Sequence, residues 1–327
     1  MAKQLVPYRK LPTSTTQQCD ALLARGLGFG DRAAAIKLIE SVGYYRFKAY
    51  LLPFRDGGSP DKRFNAGATF EDAWQLYKFD ENLRTLIFSL VSKIEVGVRA
   101  RINHAIATAT ANPFWYINSE LFGHGNVDYS VTVGKVRAIF LNSHEEYALH
   151  YKTNYYNEFC KFLSDMPPGW VAIELMSFGN LSSTLRSIED TAISAFKLDR
   201  VSSRDLGVSK FRKLCNWLSV IHEVRNHCGH HGRLFNRNIK APDAIKQVLD
   251  KAIPLVKVLS HDGRKIEDQL NRLYTALAAM QQILRKLGHG AIGPEVLALF
   301  QNHPVSLTMR SSMGFPENWE TEKLFFD

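Results

Sequence analysis

Apolar residues recur at helical spacing along almost the whole chain, and the sequence lacks convincing runs of alternating, β-branched positions. The clearest pattern begins at Thr69, where apolar residues fall on one stripe of a long helix. The members of this stripe are Leu76, Leu83, Ile87, Leu90, Ile94, Val98 and Ile102. We expect this helix to form the spine of the core. The pattern as a whole predicts an all-α fold, a multi-helix bundle with an N-terminal helical extension and C-terminal helices.

Proline, glycine and other turn-forming residues set the expected ends of the helices. Helices are predicted over about 31–42, 44–52, 131–163, 170–178, 243–259 and 262–287, with a further helix from Ser209. The stretch 187–208 is predicted to be a helix end followed by a mobile loop, and the tail after Pro304 a surface segment. We divide the chain into an N-terminal helical segment, 1–60, a helical core, 61–290, and a C-terminal tail, 291–327.

Positive charge is concentrated in the middle of the chain. The formal net charge is +9, and the sequence pI is about 9.3. Between Ala195 and Lys240 there are ten Lys and Arg residues against three Asp and Glu residues. This excess favours an anionic partner such as nucleic acid, and the alternative is an ordinary solvated, lysine-rich face.

The apolar runs and the cysteines of the sequence bear on membrane association, secretion and metal binding. No apolar run is long enough to cross a bilayer, and the N-terminal residues lack the apolar core of a secretory signal. We therefore expect a cytoplasmic protein with no membrane partner. The four cysteines are scattered and form no C-x-x-C pair, so we expect reduced thiols and neither a metal ion nor another cofactor.

The segment 221–238, IHEVRNHCGHHGRLFNRN, is unusually rich in His, Arg and Asn. Four of its residues fall within an arc of about 80° on a continuous helix: His222, Asn226, His230 and Arg233. Arg225 flanks that arc by about 60°. Gly229 and Gly232 weaken a helix, so they are candidates for its end or for a close backbone approach. Histidine exchanges protons near neutral pH, and arginine stabilises the charge that develops on a phosphate during cleavage. The segment offers no carboxylate cluster to hold magnesium, so its chemistry favours metal-independent transesterification of RNA, with Asn226 orienting His230.

Two alternatives stay open for this segment. His227 and His231 are four residues apart and, with Cys215 or Cys228, are candidate zinc ligands, although the spacing is unusual for zinc. A helix this polar is also a candidate surface for docking RNA without catalysis.

Several blocks of the chain resemble a known family. Arg225, Asn226 and His230 fit the R-N-x-x-x-H form of the motif found in HEPN-type ribonucleases, and the setting WLSVIHEVRNHCGHHGRLFNR resembles the Abi-like (AbiD/AbiF) abortive-infection proteins. Further blocks resemble that family in the same order: Gly43–Phe47, Tyr50–Phe54, Leu76–Arg84, Ile94–Arg99 and Pro168–Gly179. The chain departs from the family in carrying Cys228-Gly229 in place of an apolar residue and alanine, and we expect this to have little consequence.

The resemblance implies a HEPN-like helical bundle and a toxic, metal-independent endoribonuclease that acts against phage infection. It implies that Arg225 and His230 are catalytic, and we expect Asn226 to position them. It also implies RNA as the substrate, a structured non-coding RNA as a partner of some relatives, and a homodimer with one composite groove. A nucleotide-binding relative would need a glycine-rich phosphate loop, which this sequence lacks.

Other residues are candidates for RNA binding outside the catalytic set. They are His231, Arg233, Asn236, Arg237, Lys210, Arg212, Lys213, Tyr44, Tyr45 and Arg46. The two tyrosines and Arg46 either stack on bases and hold a phosphate or belong to the core. Arg99 and His104 repeat the R-x-x-x-x-H spacing, which makes them a candidate second catalytic half, and Arg99 with Glu95 is alternatively an ion pair within one helix.

Overall fold

The computed structural model describes residues 6–123 and 129–327, and it confirms the all-α fold. Its α-helices are α1 (Thr15–Leu23), α2 (Arg32–Val42), α3 (Tyr44–Leu51), α4 (Phe70–Thr110), α5 (Tyr129–Asn142), α6 (Glu146–Asn154), α7 (Gly169–Leu175), α8 (Phe178–Arg186), α9 (Asp190–Ala195), α10 (Leu198–Leu206), α11 (Phe211–Gly229), α12 (Leu273–Lys286), α13 (Gly293–Gln301), α14 (Pro304–Leu307) and α15 (Lys323–Phe326). One antiparallel pair, β1 (Lys257–Leu259) and β2 (Ile266–Asp268), is the only sheet in this part of the chain. None of the described helices is long and apolar enough to span a membrane.

The chain forms two compact units, and the first contains the residues up to Glu81 together with Phe300–Thr308. Its core includes aromatic rings of α3 and the start of α4, with Phe47 and Phe70 4.9 Å apart between ring centroids. The hydroxyl of Tyr50 donates to Oδ2 of the buried Asp80 at 2.5 Å. Helix α4 begins after Thr69, whose Oγ1 accepts from the backbone N–H of Asp72, as expected for an N-cap.

The second unit contains Asn82–Leu299 and Met309–Asp327. The predicted apolar stripe of α4 is confirmed, because every member is at most 3% exposed. Helix α11 packs against α8, α10 and α12, and its apolar residues, such as Leu214, Leu218 and Ile221, are fully buried. This packing holds one face of α11 in the core and leaves the polar face at the surface. The division at residues 60 and 290 rests on loop composition and stays a prediction.

Two predicted helix boundaries between 170 and 208 are wrong. The segment 170–178 belongs to two helices, α7 and α8, because Ser177 starts a new helix by accepting from the backbone N–H of Asn180 at 3.1 Å. Gly179 lies at the start of α8 and does not end a helix. Residues 187–208 form α9 and α10 and are not a loop, since Leu198 and Leu206 anchor α10 in the core.

Two expectations for the C-terminal third are also wrong. Residues 243–259 form no α-helix, and their last three residues form β1, in which Lys257 pairs with Asp268 of β2. The tail is not a surface segment, because Phe315, Trp319 and Phe325 are buried. Its aromatic residues sit on short turns of irregular spacing, so they leave no helical period in the sequence.

Candidate active site

Helix α11 carries the polar motif and begins without a local side-chain cap. The backbone N–H of Phe211, its first residue, donates instead to Oδ1 of Asp199 on α10 at 2.8 Å. A carboxylate at a helix N-terminus interacts favourably with the positive end of the helix dipole. This contact fixes the start of α11, and burial of its apolar face fixes its rotation.

The helix ends at Gly229, so the shared face through Arg233, which needs a continuous helix, does not form. The backbone N–H of Gly232 donates to the carbonyl of His227 at 2.8 Å, and that of His231 to the carbonyl of Cys228 at 3.1 Å. These two bonds form a Schellman cap, in which the residue after the C-cap takes a left-handed conformation. His231 occupies that position, with φ of 54°, where glycine is usual.

The segment beyond the cap leaves the helix direction, and it is anchored by two buried side chains. Leu234 and Phe235 are at most 1% exposed. Arg237 donates to the backbone carbonyl of Arg233 at 3.0 Å, and Asn236 adopts a positive φ of 47°. Both arginines are half-buried. Arg233 therefore does not share a helical face with His222.

The centre of the site is a hydrogen-bonded set of three side chains on α11. Asn226 Nδ2 lies 3.1 Å from His222 Nε2, and Arg225 donates to Asn226 Oδ1 at 3.5 Å. The amide oxygen therefore faces the guanidinium, and the amide nitrogen faces the imidazole. Burial lowers the pKa of His222, the positive charge of Arg225 lowers it further, and the charge of Glu95 opposes this. His222 is thus neutral near pH 7, with Nε2 accepting the Asn226 hydrogen bond.

Residues from other helices complete the surroundings of this set. The ring of Phe178 meets His222 edge-on at 5.9 Å, and a Cβ added to Gly179 would lie 2.9 Å from His222 Nε2. The Arg225 guanidinium lies over the ring of Phe88 at 5.7 Å. No local sequence signal identifies these neighbours, because each becomes adjacent to α11 only through tertiary packing.

His230 is the C-cap residue of α11, and it is exposed. Its backbone N–H donates to the carbonyl of Asn226 at 2.9 Å. Its imidazole makes no hydrogen bond within the ranges that the structure describes. The Asn226 amide is bonded to His222, so the expected orientation of His230 by Asn226 is not found. Arg225 Nη1 would lie 3.7 Å from a Cβ at Gly229, which places the guanidinium beside the residue that precedes His230.

The three basic residues at the start of α11 already have intramolecular partners. Lys210 pairs with Asp199 at 2.8 Å, and Lys213 donates to Gln247 Oε1 at 2.7 Å. Arg212 donates to the backbone carbonyl of Arg186 at 2.8 Å and to Asp190 at 2.9 Å, and it also donates to the carbonyl of Ile188. Arg212 thus stabilises the C-terminal end of α8. Binding of RNA by these residues and by His231, which is exposed, stays a prediction.

The N-terminal candidates lie in the first compact unit, on α3. Tyr45 is 92% exposed, Tyr44 is half-buried and Arg46 is exposed, whereas Phe47 is fully buried. Assignment of Tyr45 to the core is therefore wrong, because its side chain points away from the packed face of α3. The expectation that these residues contact RNA is a prediction.

Arg99 and His104 do not form a second site. Arg99 is buried, donates to the carbonyls of Ile173 and Glu174 at the C-terminal end of α7, and pairs with Glu95 four residues earlier. His104 is exposed. The interpretation of Arg99 and Glu95 as an ion pair within one helix is confirmed.

The zinc alternative lacks a ligand set. Among residues 6–123 and 129–327, no three His, Cys, Asp or Glu side chains converge as metal ligands. Cys215 and Cys228 are buried, and burial raises the pKa of Cys215 to about 12. His227 instead faces Glu223, with 3.8 Å between Nε2 and Oε1.

The fold and this cluster define an all-helical protein with a histidine, arginine and asparagine site at the end of one helix. A comparison with protein-family models matches residues 37–236, more than half of the chain, to the family described as Abi-like protein. The chain belongs to this family, whose name refers to abortive infection. No curated protein and no solved structure matches the chain.

Proposed function

We propose that the protein is a HEPN-type endoribonuclease and a toxin of abortive infection, and that it cuts RNA without a metal ion. The observation that supports this best is the set of Arg225, Asn226 and His222 at the open end of α11, next to the exposed His230. The position of this set within the matched family region supports a role in defence against phage. We further propose that a structured non-coding RNA controls the activity.

The chemistry is an in-line transesterification. A base takes the proton of a ribose 2′-hydroxyl, the 2′-oxygen forms a bond to phosphorus, and the bond from phosphorus to the 5′-oxygen breaks as an acid protonates that oxygen. His230 is the proton carrier, because its imidazole is exposed. Arg225 stabilises the negative charge that builds on the phosphate oxygens. Asn226 orients the Arg225 guanidinium by accepting its hydrogen bond, and the neutral His222 in turn bonds to the Asn226 amide.

The reaction needs a proton donor as well as a proton acceptor, and one R-N-x-x-x-H motif supplies a single histidine as proton carrier. Arg99 is committed to core carbonyls, so His104 has no arginine partner from this pair. We therefore propose a homodimer in which His230 of the partner subunit supplies the second proton carrier across a two-fold axis. Each half of the composite groove would then contain one copy of the α11 motif.

The test is cleavage of total cellular RNA by purified wild-type, Arg225→Ala and His230→Ala chains, with and without a chelator. We expect each substitution to lower cleavage by about a hundredfold or more, with an unchanged melting temperature. Cleavage by the wild type should survive chelation and leave a 2′,3′-cyclic phosphate. The matched control is His144→Ala, which removes an exposed histidine elsewhere and should cut like the wild type.

The same preparations test the proposed homodimer and the alternative function, which is docking of RNA without cleavage. A mixed dimer of wild-type and His230→Ala chains should lose most activity if the groove is composite, whereas half-normal activity would show that each chain cuts alone. Wild-type protein that binds RNA tightly and never cuts it would support a non-catalytic docking module. Strict dependence on magnesium with 3′-hydroxyl products would reject the mechanism.

A further inference from the structure

A second polar groove lies in the same compact unit as α11, between α4 and α10. One wall is a face of α4 formed by residues at helical spacing: Arg101, His104, Ala105 and Thr108. The other wall consists of Lys197, Arg200, Val201, Arg204 and Asp205. The cavity between the walls has a volume of about 560 Å³. Its lining is therefore basic on both sides.

The charge in this groove is not balanced. Arg204 is bonded to Asp205 through two nitrogens, at 2.7 and 2.8 Å, and these two charges cancel. The side chains of Arg101, Lys197 and Arg200 have no ion pair or hydrogen bond with any residue that the structure describes. Three positive charges consequently line one cavity without a direct ion pair, and Asp205 is the one carboxylate in its lining.

This pattern differs from the start of α11. Lys210, Arg212 and Lys213 each have a partner within the protein, whereas Arg101, Lys197 and Arg200 of the groove have no ion pair or hydrogen bond with the described residues. The bond to Arg204 keeps the pKa of Asp205 low, and the charges of Arg101 and His104 lower it further, which shows that both lie within electrostatic range of the opposite wall. Like charges that converge in one cleft create a strong local potential for an anion.

The shape of the groove fits a chain of phosphates better than a single anion. Arg101 and Thr108 are about 10 Å apart along α4, and Lys197 and Arg204 are about 10 Å apart along their side of the groove, at 1.5 Å per residue. Cations spread over this length can contact more than one phosphate of a strand, and the three cations without an ion pair set an upper limit of three contacts. The α4 wall includes a small residue, Ala105, that lets a backbone approach closely.

We propose that this groove binds the sugar–phosphate backbone of a single-stranded RNA segment outside the cleavage site. The inference rests on the proposed function, in which RNA is the ligand. His104 lies nine residues after Glu95, the carboxylate that acts on His222, which is about 13 Å along α4 and on a different face of that helix. The groove is therefore proposed as a binding surface separate from the α11 site.

The experiment compares salt dependence of binding in the His230→Ala background, so that the probe stays intact. The probe is a labelled single-stranded oligouridylate, and the groove variant combines Arg101→Gln, Lys197→Gln and Arg200→Gln. The matched control combines Lys135→Gln, Lys251→Gln and Lys323→Gln, which removes the same charge from exposed lysines whose side chains have no partner in the described ranges. Inorganic phosphate is titrated as a competitor.

Each phosphate contact on a single strand contributes about 0.7 to the slope of log affinity against log salt, so the groove variant should lose about 2 in slope. Its affinity at physiological salt should fall by about fifty-fold. Its melting temperature should stay the same or rise, because repulsion between like charges is removed. The control should keep nearly the parental slope.

Three results would contradict the proposal that the groove binds RNA. They are an unchanged slope in the groove variant, an equal loss in the control, and full competition by inorganic phosphate at concentrations where the salt effect is small. If the wild type cuts RNA and the groove variant keeps the parental salt slope, the proposed nuclease activity stands and only RNA binding by the groove is rejected. A flattened slope in a protein that never cuts RNA would support the groove and reject the nuclease.

Discussion

Two stretches of this chain share the spacing R-x-x-x-x-H, Arg99 to His104 on α4 and Arg225 to His230 at the end of α11. Five residues on an ideal helix turn through about 140° net, so in both stretches the two side chains start on different faces. In α4 the arginine lies in the core and the histidine at the surface. In α11 the arginine is half-buried over Phe88, and the histidine is exposed at the helix end.

The two stretches differ in the course of the chain around each histidine. Helix α4 continues from His104 to Thr110, and Arg99 is held by the carbonyls that end α7. Helix α11 stops one residue before His230, and the Arg225 guanidinium lies beside Gly229, the last residue of the helix. The same spacing thus supports packing where the helix continues and a candidate catalytic site where it ends.

The largest expected effect is a difference in the free energy of unfolding between substitutions of Arg99 and of Arg225. Arg99→Met should lower the free energy of unfolding by about 3 kcal/mol, because it leaves the Glu95 carboxylate and the α7 carbonyls without their partner. Arg225→Met should change it by less than about 0.5 kcal/mol, since this side chain has one long hydrogen bond. Urea unfolding measures both.

A double variant tests the cause of the Arg99 effect. Adding Glu95→Gln to Arg99→Met should recover part of the lost stability, because the unpaired carboxylate is then absent. Wild-type stability in Arg99→Met, combined with loss of RNA cleavage, would instead assign Arg99 to the catalytic machinery and remove the contrast between the two stretches.

A smaller effect comes from two glycines beside the α11 site. Gly179→Ala should displace His222, since the added Cβ would lie 2.9 Å from Nε2, and should cost about 1 kcal/mol and reduce cleavage. Gly229→Ala is the matched substitution, with Phe88 and Arg225 at contact distances of 3.5 and 3.7 Å. It should stabilise the helix by about 0.5 kcal/mol and keep cleavage. Equal effects of the two changes would contradict the packing described for His222.

The smallest effect is a pH dependence of stability. The pKa of His222 is lowered by burial and by Arg225, so the unfolded chain binds its proton first as the pH falls below about 6.5. Stability should therefore decrease on acidification from that value down to the folded pKa. His222→Gln should flatten part of this decrease. His227 and His303 contribute in the same direction, because burial also lowers their pKa values.

The sequence was sufficient to predict the spine helix, and it failed where contacts are distant. The α4 stripe and its Thr69 cap are local signals, and both are confirmed. The end of α11 at Gly229 depends on a Schellman cap that a histidine completes without the usual glycine, so angles calculated for a continuous helix do not apply beyond it. The neighbours Phe88 and Gly179 could not be predicted, since tertiary packing alone brings them to α11.

The segment after the Schellman cap also has a thermodynamic consequence. Because Leu234 and Phe235 are buried, the backbone that carries Arg233, Asn236 and Arg237 is already ordered in the free protein. Ordering a residue costs about 1–2 kcal/mol of conformational entropy, and here folding supplies that cost before any ligand arrives. A ligand that contacts this segment therefore meets a preorganised surface, and its binding enthalpy is not offset by loop ordering.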